Sequence, residues 1–190
     1  MNAIKNHTKE LIVLTILLAL AVSVVNAAVF VYYPISITAQ YGPRPVYFDE
    51  GTNAGRSDVG AGNTITVSLS DDDTYASITV NPSRRGTTRY KDVLRIVNND
   101  TQAYYIGFTV DTAFDDSAIT NAELIVRTTG GAMVGTVDLK SSGTTWVPWL
   151  LSAKDQLRID LRFTISSRSS GSDSASITLV YSPQSSESPP

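Results

Sequence analysis

The chain has 190 residues, a formal net charge of −3, no cysteine and one histidine, His7. This length suits one compact domain with a core of its own. The positive charges are scattered along the chain, so the sequence does not predict a nucleic-acid-binding surface. Without disulfides, stability has to come from the core or from assembly.

Residues 1–27 have the layout of a secretory signal peptide. Lys5 and Lys9 precede an uncharged apolar stretch at residues 11–25, and small or apolar residues lie at the expected cut. We expect cleavage after Ala27, and therefore an extracellular protein that meets the membrane only during export. His7 would leave with the signal, so the mature chain would hold neither histidine nor cysteine.

That composition excludes several chemistries together. A Ser-His-Asp or Cys-His catalytic site needs residues that the mature chain lacks, and zinc and copper lose their usual ligands. We therefore expect no enzyme activity, no metal and no cofactor. Carboxylate chemistry of the glycosidase type stays open in principle, with Asp115 and Asp116 as the pair to test.

Residues 28–38 change from leucine-rich to strand-forming sequence, because Val, Ile, Tyr, Phe and Thr replace Leu. An uncovered apolar strand templates pairing with other chains. Our hypothesis is that a second copy of the protein accepts this segment as an added strand, and that repetition builds a head-to-tail filament. In the alternative, the segment folds back as the first strand of its own sandwich. The residues expected to form the donated strand are Ala28, Val29, Phe30, Val31, Tyr32, Tyr33, Ile35 and Ile37.

Two prolines within residues 41–45 predict a stiff connector, and a short strand follows at residues 46–48. Period-two alternation predicts a hairpin from residues 63–69 and 75–80. Residues 90–97 suit a strand or a short helix, and their Val and Ile content favours a strand that forms a second hairpin with residues 103–110. Gly107 inside that hairpin predicts a bulge or a close backbone approach.

The second half of the chain continues the pattern of short strands and turns. Gly130 and Gly131 predict a tight turn between strands at residues 118–128 and 132–139. Further strands are predicted at residues 145–151, 156–166 and 175–181, and residues 182–190 read as a disordered tail. Eight to ten strands predict an all-β fold, an antiparallel β-sandwich over residues 46–181.

Two polar turns are candidate binding or modification sites. The turn from Asp71 to Asp73 lacks the alternate ligand spacing of a calcium loop, which favours a solvated turn over an ion site. Asn99 begins an Asn-Asp-Thr triplet in a predicted turn, so it is a candidate for N-glycosylation.

Two tryptophans, Trp146 and Trp149, flank Pro148. Exposed aromatic pairs can bind carbohydrate, but large aromatics more often anchor a core or an interface. We favour the anchoring role.

The order of several short segments resembles that of a known family. PVYF at residues 45–48 and EGTNAG at 50–55 are followed by TITVSL, YASITVNP and YKDVLRIVNND running into AYYIGF. With a signal peptide and an apolar arm before them, these segments resemble the archaeal bundling pilins, which are similar to the TasA and camelysin-like biofilm fibre proteins. The resemblance implies a jelly-roll-like sandwich whose N-terminal strand fills a groove in the next subunit, and filaments that bundle into a matrix supporting cell-cell adhesion. No peptidase motif accompanies it.

The sequence leaves two other interpretations open. In a type IV-like pilin, residues 11–33 would stay attached as a helix in a shared pilus core; the missing prepilin-type glycine and Pro34 argue against this. In a monomeric surface module, the tryptophans would bind carbohydrate.

Overall fold

The computed structural model describes residue 7 and residues 9–18, 34–39, 42, 44–167 and 170–184. The chain forms two compact units, residues 1–41 and 42–190. In the first unit, residues 9–18 are helical and residues 34–39 have no regular structure. Within the described residues we find no helix with both the length and the apolar character needed to cross a membrane. Both the signal-peptide and the type IV-like interpretations expect helix at residues 9–18, so this helix does not separate them.

The second unit is built from strands. They are β1 (Val46–Glu50), β2 (Thr66–Leu69), β3 (Ala76–Thr79), β4 (Gly86–Asn98), β5 (Tyr104–Thr112), β6 (Ile119–Thr128), β7 (Met133–Asp138), β8 (Gly143–Leu151), β9 (Gln156–Ile165) and β10 (Ser176–Ser182). A five-stranded sheet has the order β1-β4-β9-β6-β7, a three-stranded sheet the order β10-β5-β8, and β2-β3 is a separate hairpin. All neighbouring strands are antiparallel. The predicted all-β sandwich is therefore confirmed.

Strand β9 shows why the sequence forms this core. Leu157, Ile159 and Leu161 alternate with polar residues and are buried, because a strand sends alternate side chains to opposite faces. Across the sheet, Ile159 lies between Leu94 of β4 and Val126 of β6. These apolar rows make the inner face of the larger sheet, and they belong to one hydrophobic cluster with buried residues of the three-stranded sheet.

The prediction that residues 90–97 and 103–110 pair in a hairpin is wrong. β4 lies in the five-stranded sheet and β5 in the three-stranded one, so the chain crosses between sheets at residues 99–103. Asn98 holds this crossing: its fully buried side-chain amide donates to the carbonyl oxygens of Gln102, Leu151 and Ser152. Both strands are apolar on their inner faces. Such a pattern predicts which face of a strand is buried, but it does not predict which strand lies next to it.

The other two predicted hairpins are confirmed. β2 pairs with β3, and β6 pairs with β7. At the second turn Gly131 has a φ of +90°, a conformation that residues with a Cβ rarely adopt. β10 ends at Ser182, which is buried, so the last strand runs one residue further than predicted. Residues 185–190 of the expected tail lie outside the described residues.

Strand β4 carries a bulge that the sequence did not indicate. The register against β9 shifts between Tyr90 and Leu94, and Asp92 inside the bulge has a φ of +45°. The backbone N–H of Asp92 donates to a carboxylate oxygen of Asp160 at 2.8 Å. The Asp92 side chain, almost fully buried, accepts two hydrogen bonds from Arg95 at 3.0 and 2.9 Å. Charge-assisted bonds of this kind satisfy a carboxylate that burial would otherwise penalise.

The loop after β1 closes over this bulge. Thr52 donates its hydroxyl to Asp92 at 2.7 Å, and the backbone N–H of Asn53 donates to the Asp92 carbonyl at 3.1 Å. Gly51 donates to the carbonyl of Val93 at 3.1 Å and lies so close to β4 that a Cβ at this position would sit 1.9 Å from the Asp92 carbonyl oxygen. Only glycine fits there.

Of the two alternatives predicted at Gly107, a bulge or a close backbone approach, the structure shows the bulge. The pairing of β5 with β8 shifts between Tyr105 and Gly107, and the ring of Trp146 fills the space beside the glycine. A Cβ on residue 107 would lie 2.9 Å from the nearest ring carbon.

We expect Gly107→Ala to lower the free energy of unfolding by about 1–2 kcal/mol, because the indole ring of Trp146 has to shift. Urea denaturation followed by tryptophan fluorescence measures this. Gly86→Ala is the matched control, since no atom lies within 4 Å of a Cβ built at that strand position. Equal midpoints for the two variants would contradict the packing assigned to Trp146.

Candidate functional site

The N-terminal segment expected to be donated is only partly described. Ala27 and the residues from Ala28 to Tyr33 lie outside the described residues. In the described part, Ile35 and Ile37 belong to an irregular stretch and are 83% and 89% exposed. Large aliphatic side chains in strand-forming sequence are normally covered, so this stretch has apolar side chains that its own unit leaves exposed.

At one side of the sandwich, the edge strands of the two large sheets approach each other without pairing. β7 and β8 lie beside each other there, and Gly135 of β7 packs against Val147 of β8. β8 also contains Pro148 next to the register shift in its pairing with β5. Proline has no N–H to donate, and bulges disrupt a ladder, so this edge is protected against strand addition.

The edge of β1 is protected in a different way. The backbone N–H of Phe48 donates to the carbonyl oxygen of Asp73, in the turn between β2 and β3, at 2.9 Å. The carboxylate of the same aspartate pairs with Arg44 at 3.1 Å. The turn therefore occupies a hydrogen-bonding position on β1 that an added strand would need.

The outer edge of β10 has no such protection. β10 pairs with β5 along one side, and no backbone hydrogen bond from residues 177–181 to any other described segment exists. Its sequence, SITLVYS, contains neither proline nor a charged residue. Proline, charge and bulges are the devices by which proteins protect an exposed edge, and β10 has only a bulge at its first residue.

The inner face of β10 is also incompletely covered. Leu179 lies opposite the buried Phe108 of β5 but is itself only half-buried, and Ile177 is half-buried opposite Val110. Tyr181 is 39% exposed. The apolar core therefore reaches this edge and remains open to solvent there.

Tyr181 rests edge-on against Tyr104, with ring centroids 5.4 Å apart and an interplanar angle of 83°. The Tyr104 hydroxyl donates to Asp100 at 2.6 Å. This hydrogen bond is the main reason that the pKa of Tyr104 is raised to about 12. The contact between Tyr181 and Tyr104 positions the C-terminal end of β10.

The β2-β3 hairpin contributes more half-buried apolar surface to the same core. Val67 and Ile78 face each other across the hairpin, as do Leu69 and Ala76. All four pack against the core cluster without being fully covered. The five-stranded sheet thus faces a three-stranded sheet and the β2-β3 hairpin, and the apolar residues of the hairpin remain partly exposed.

The acidic turns are occupied by local hydrogen bonds. Asp72 accepts from Ser70 at 2.6 Å, which is the main cause that lowers its pKa to about 2. One carboxylate oxygen of Asp173 accepts the backbone N–H groups of Asp115 and Asp116, both at 2.9 Å, and these bonds lower its pKa. No group of three or more acidic or histidine side chains in the described part of the chain is placed to hold a metal ion.

A shallow cavity of about 300 Å³ lies beside these loops. Its lining is mainly serine and glycine, and Asp116 is the one carboxylate in it. One Asp116 oxygen accepts from the backbone N–H of Ala118 at 2.8 Å. This hydrogen bond stabilises the loop. The described lining of the cavity does not contain the two facing carboxylates that glycoside hydrolysis needs.

The remaining predicted sites are on the surface. Asn99 is exposed at the start of the crossing between the two sheets, and its side-chain oxygen accepts from Lys154 at 3.1 Å. Trp146 is half-buried against Gly107, whereas Trp149 is 41% exposed. The two tryptophans therefore differ in exposure and are not the equally exposed aromatic pair that a carbohydrate-binding surface would use.

No protein-family model matches this chain. No curated protein matches it at a significant level.

Proposed function

We propose that this protein is the structural subunit of an extracellular filament that polymerises head-to-tail by strand donation. Each subunit gives the N-terminal segment at residues 28–38 to the sheet of the next. The filaments bundle laterally and support cell-cell adhesion in a matrix, as the resemblance to bundling pilins implies. The partner is a further copy of the same chain, and no catalysis is involved.

The observation that carries this proposal is a match between two uncovered surfaces. Ile35 and Ile37 are exposed in strand-forming sequence, and the sandwich has a strand edge, β10, with half-buried apolar residues and with neither proline nor charge. Each large apolar side chain that becomes covered contributes about 1.5 to 3 kcal/mol before the cost of ordering the segment. Ladder hydrogen bonds add direction and register.

The proposal is tested by placing charge on the apolar positions of the segment. We expect the double variant Ile35→Asp, Ile37→Asp to form no filaments in electron micrographs, because two carboxylates would have to be buried. The matched control is Ser36→Asp, Thr38→Asp, which adds the same charge at neighbouring polar positions and keeps the filaments.

Both double variants should keep the far-UV circular dichroism of the sandwich, since residues 35–38 belong to none of its strands. A chain lacking residues 28–40 should also fold and fail to assemble. Filaments from the Ile35→Asp, Ile37→Asp variant, or from the deleted chain, would refute strand donation.

A further inference from the structure

We infer that the acceptor for the donated segment is the outer edge of β10, and that residues 29, 31, 33, 35 and 37 of a second copy face the core beside it. This inference rests on the proposed function and deepens it by naming the surface that receives the strand.

The first argument compares the strand edges of the sandwich. The β1 edge is occupied at Phe48 by the backbone of the β2-β3 turn, and β8 carries Pro148 at a bulge. β7 lies against β8. β2 and β3 have four residues each, with a triple-aspartate turn between them. Among the described strands, β10 alone combines a length of seven residues with neither charge nor proline, and its residues 177–181 make no backbone hydrogen bond to a described segment other than β5.

The second argument is the fit of the apolar side chains. Ile177 and Leu179 are half-buried where their partners on β5 are buried, so another strand beside β10 would extend the same inner rows. Successive side chains of a strand alternate between faces. In the donated segment the odd-numbered positions are all large and apolar: they are Val29, Val31, Tyr33, Ile35 and Ile37. The even-numbered positions are mixed: Ser36 and Thr38 are polar and suit the solvent face, whereas Phe30 and Tyr32 are aromatic. The alternation therefore favours the odd face most clearly over residues 35–38.

The third argument is the position of Pro34. Proline cannot donate a ladder hydrogen bond, so in a sheet it is tolerated where its nitrogen faces away from the neighbouring strand. Backbone groups alternate in direction along a strand. With Pro34 facing away, Tyr33 and Ile35 direct their N–H groups to β10. The same proline then protects the new outer edge, so that the sheet gains one strand and stops.

The test uses disulfide formation between two full-length chains. The protein has no cysteine, so each introduced thiol is the only one in its chain. One chain carries Leu179→Cys, on the inner face of β10. It is mixed with chains that carry a single cysteine at an odd position (Val31→Cys, Tyr33→Cys or Ile35→Cys) or at an even one (Phe30→Cys, Tyr32→Cys or Ser36→Cys). Disulfides need Cβ atoms about 3.5–4.5 Å apart, so only same-face neighbours are joined.

We expect a disulfide-linked dimer on non-reducing gels from at least one odd position and from none of the even ones. An acceptor chain with Val180→Cys, on the opposite face of β10, should reverse this parity. Tyr47→Cys on β1 is the control edge and should give no dimer. Unchanged thermal unfolding of each single variant shows that the fold is kept.

Two results would overturn the inference, and they differ in what else they overturn. In the first result, filaments form normally, but disulfide-linked dimers appear with Tyr47→Cys or appear with neither of the β10 cysteines. This would exclude β10 as the acceptor and leave strand donation intact. A chain without substitutions that forms no filaments, together with no dimers at any position, would overturn the proposed function and this inference together.

Discussion

Gly51→Ala is expected to lower the free energy of unfolding by about 3 kcal/mol, the upper end of what overpacking costs. The added Cβ would lie 1.9 Å from the carbonyl oxygen of Asp92 and 2.7 Å from the carbonyl carbon of Val93. Both are backbone atoms, so no side-chain rotation can relieve the clash. The loop would have to move away from β4, and the hydrogen bond from Gly51 to Val93 would be lost with it.

Urea denaturation of Gly51→Ala and of the unchanged chain gives this difference directly. Gly86→Ala is again the matched control, because it adds the same methyl group where no neighbour lies within 4 Å. A Gly51→Ala variant as stable as this control would show that the loop does not lie against β4 as described.

Asp92→Ala is expected to cost about 3 kcal/mol or more, because removing one partner of a buried ion pair leaves the other uncompensated. The substitution removes the acceptor of two hydrogen bonds from Arg95 and one from Thr52. It also places alanine at a φ of +45°, which aspartate and asparagine tolerate better. Asp71→Ala, at an exposed turn position, is the control and should change stability by less than about 0.5 kcal/mol.

The same carboxylate makes stability depend on pH in the acid range. The hydrogen bonds from Arg95 lower the pKa of Asp92 to about 2, against an ordinary value of 3.8. Because the folded-state pKa is the lower one, the contribution of about 2 kcal/mol is fully present above pH 4 and is lost as the pH falls toward 2. In Asp92→Asn we expect a flatter fall of the unfolding free energy between pH 4 and 2. An unchanged slope would contradict the role assigned to Asp92.

Local patterns in the sequence predict the strands well and their neighbours poorly. The alternation of residues 156–166 is sufficient to predict β9 and its buried face, and Gly130 with Gly131 is sufficient to predict the β6-β7 turn. The two partners of β4, β1 and β9, lie more than 40 positions away in the sequence, and nothing in residues 90–110 distinguishes a hairpin from a crossing between sheets. The buried amide of Asn98 makes that choice through the carbonyl groups of Leu151 and Ser152.

Two features of the structure lay beyond local reasoning for different reasons. No local pattern marks the Asp92 bulge, because its partners Asp160 and Thr52 come from distant parts of the chain. The uncovered edge of β10 follows from strand order, which a single sequence does not reveal. Its composition was visible throughout, since SITLVYS lacks the charge and proline that usually mark an exposed edge.

If assembly proceeds by strand donation as proposed, each subunit offers one acceptor edge and one donor segment, and polymer chemistry calls such a unit a bifunctional monomer. Such units would propagate linearly and would not branch. The two ends of a filament would differ, because one would have a vacant edge and the other a segment without an acceptor. A short synthetic peptide copying residues 28–39 would then cap one terminus only. Thicker bundles, and any network of filaments, would require lateral contacts between filaments.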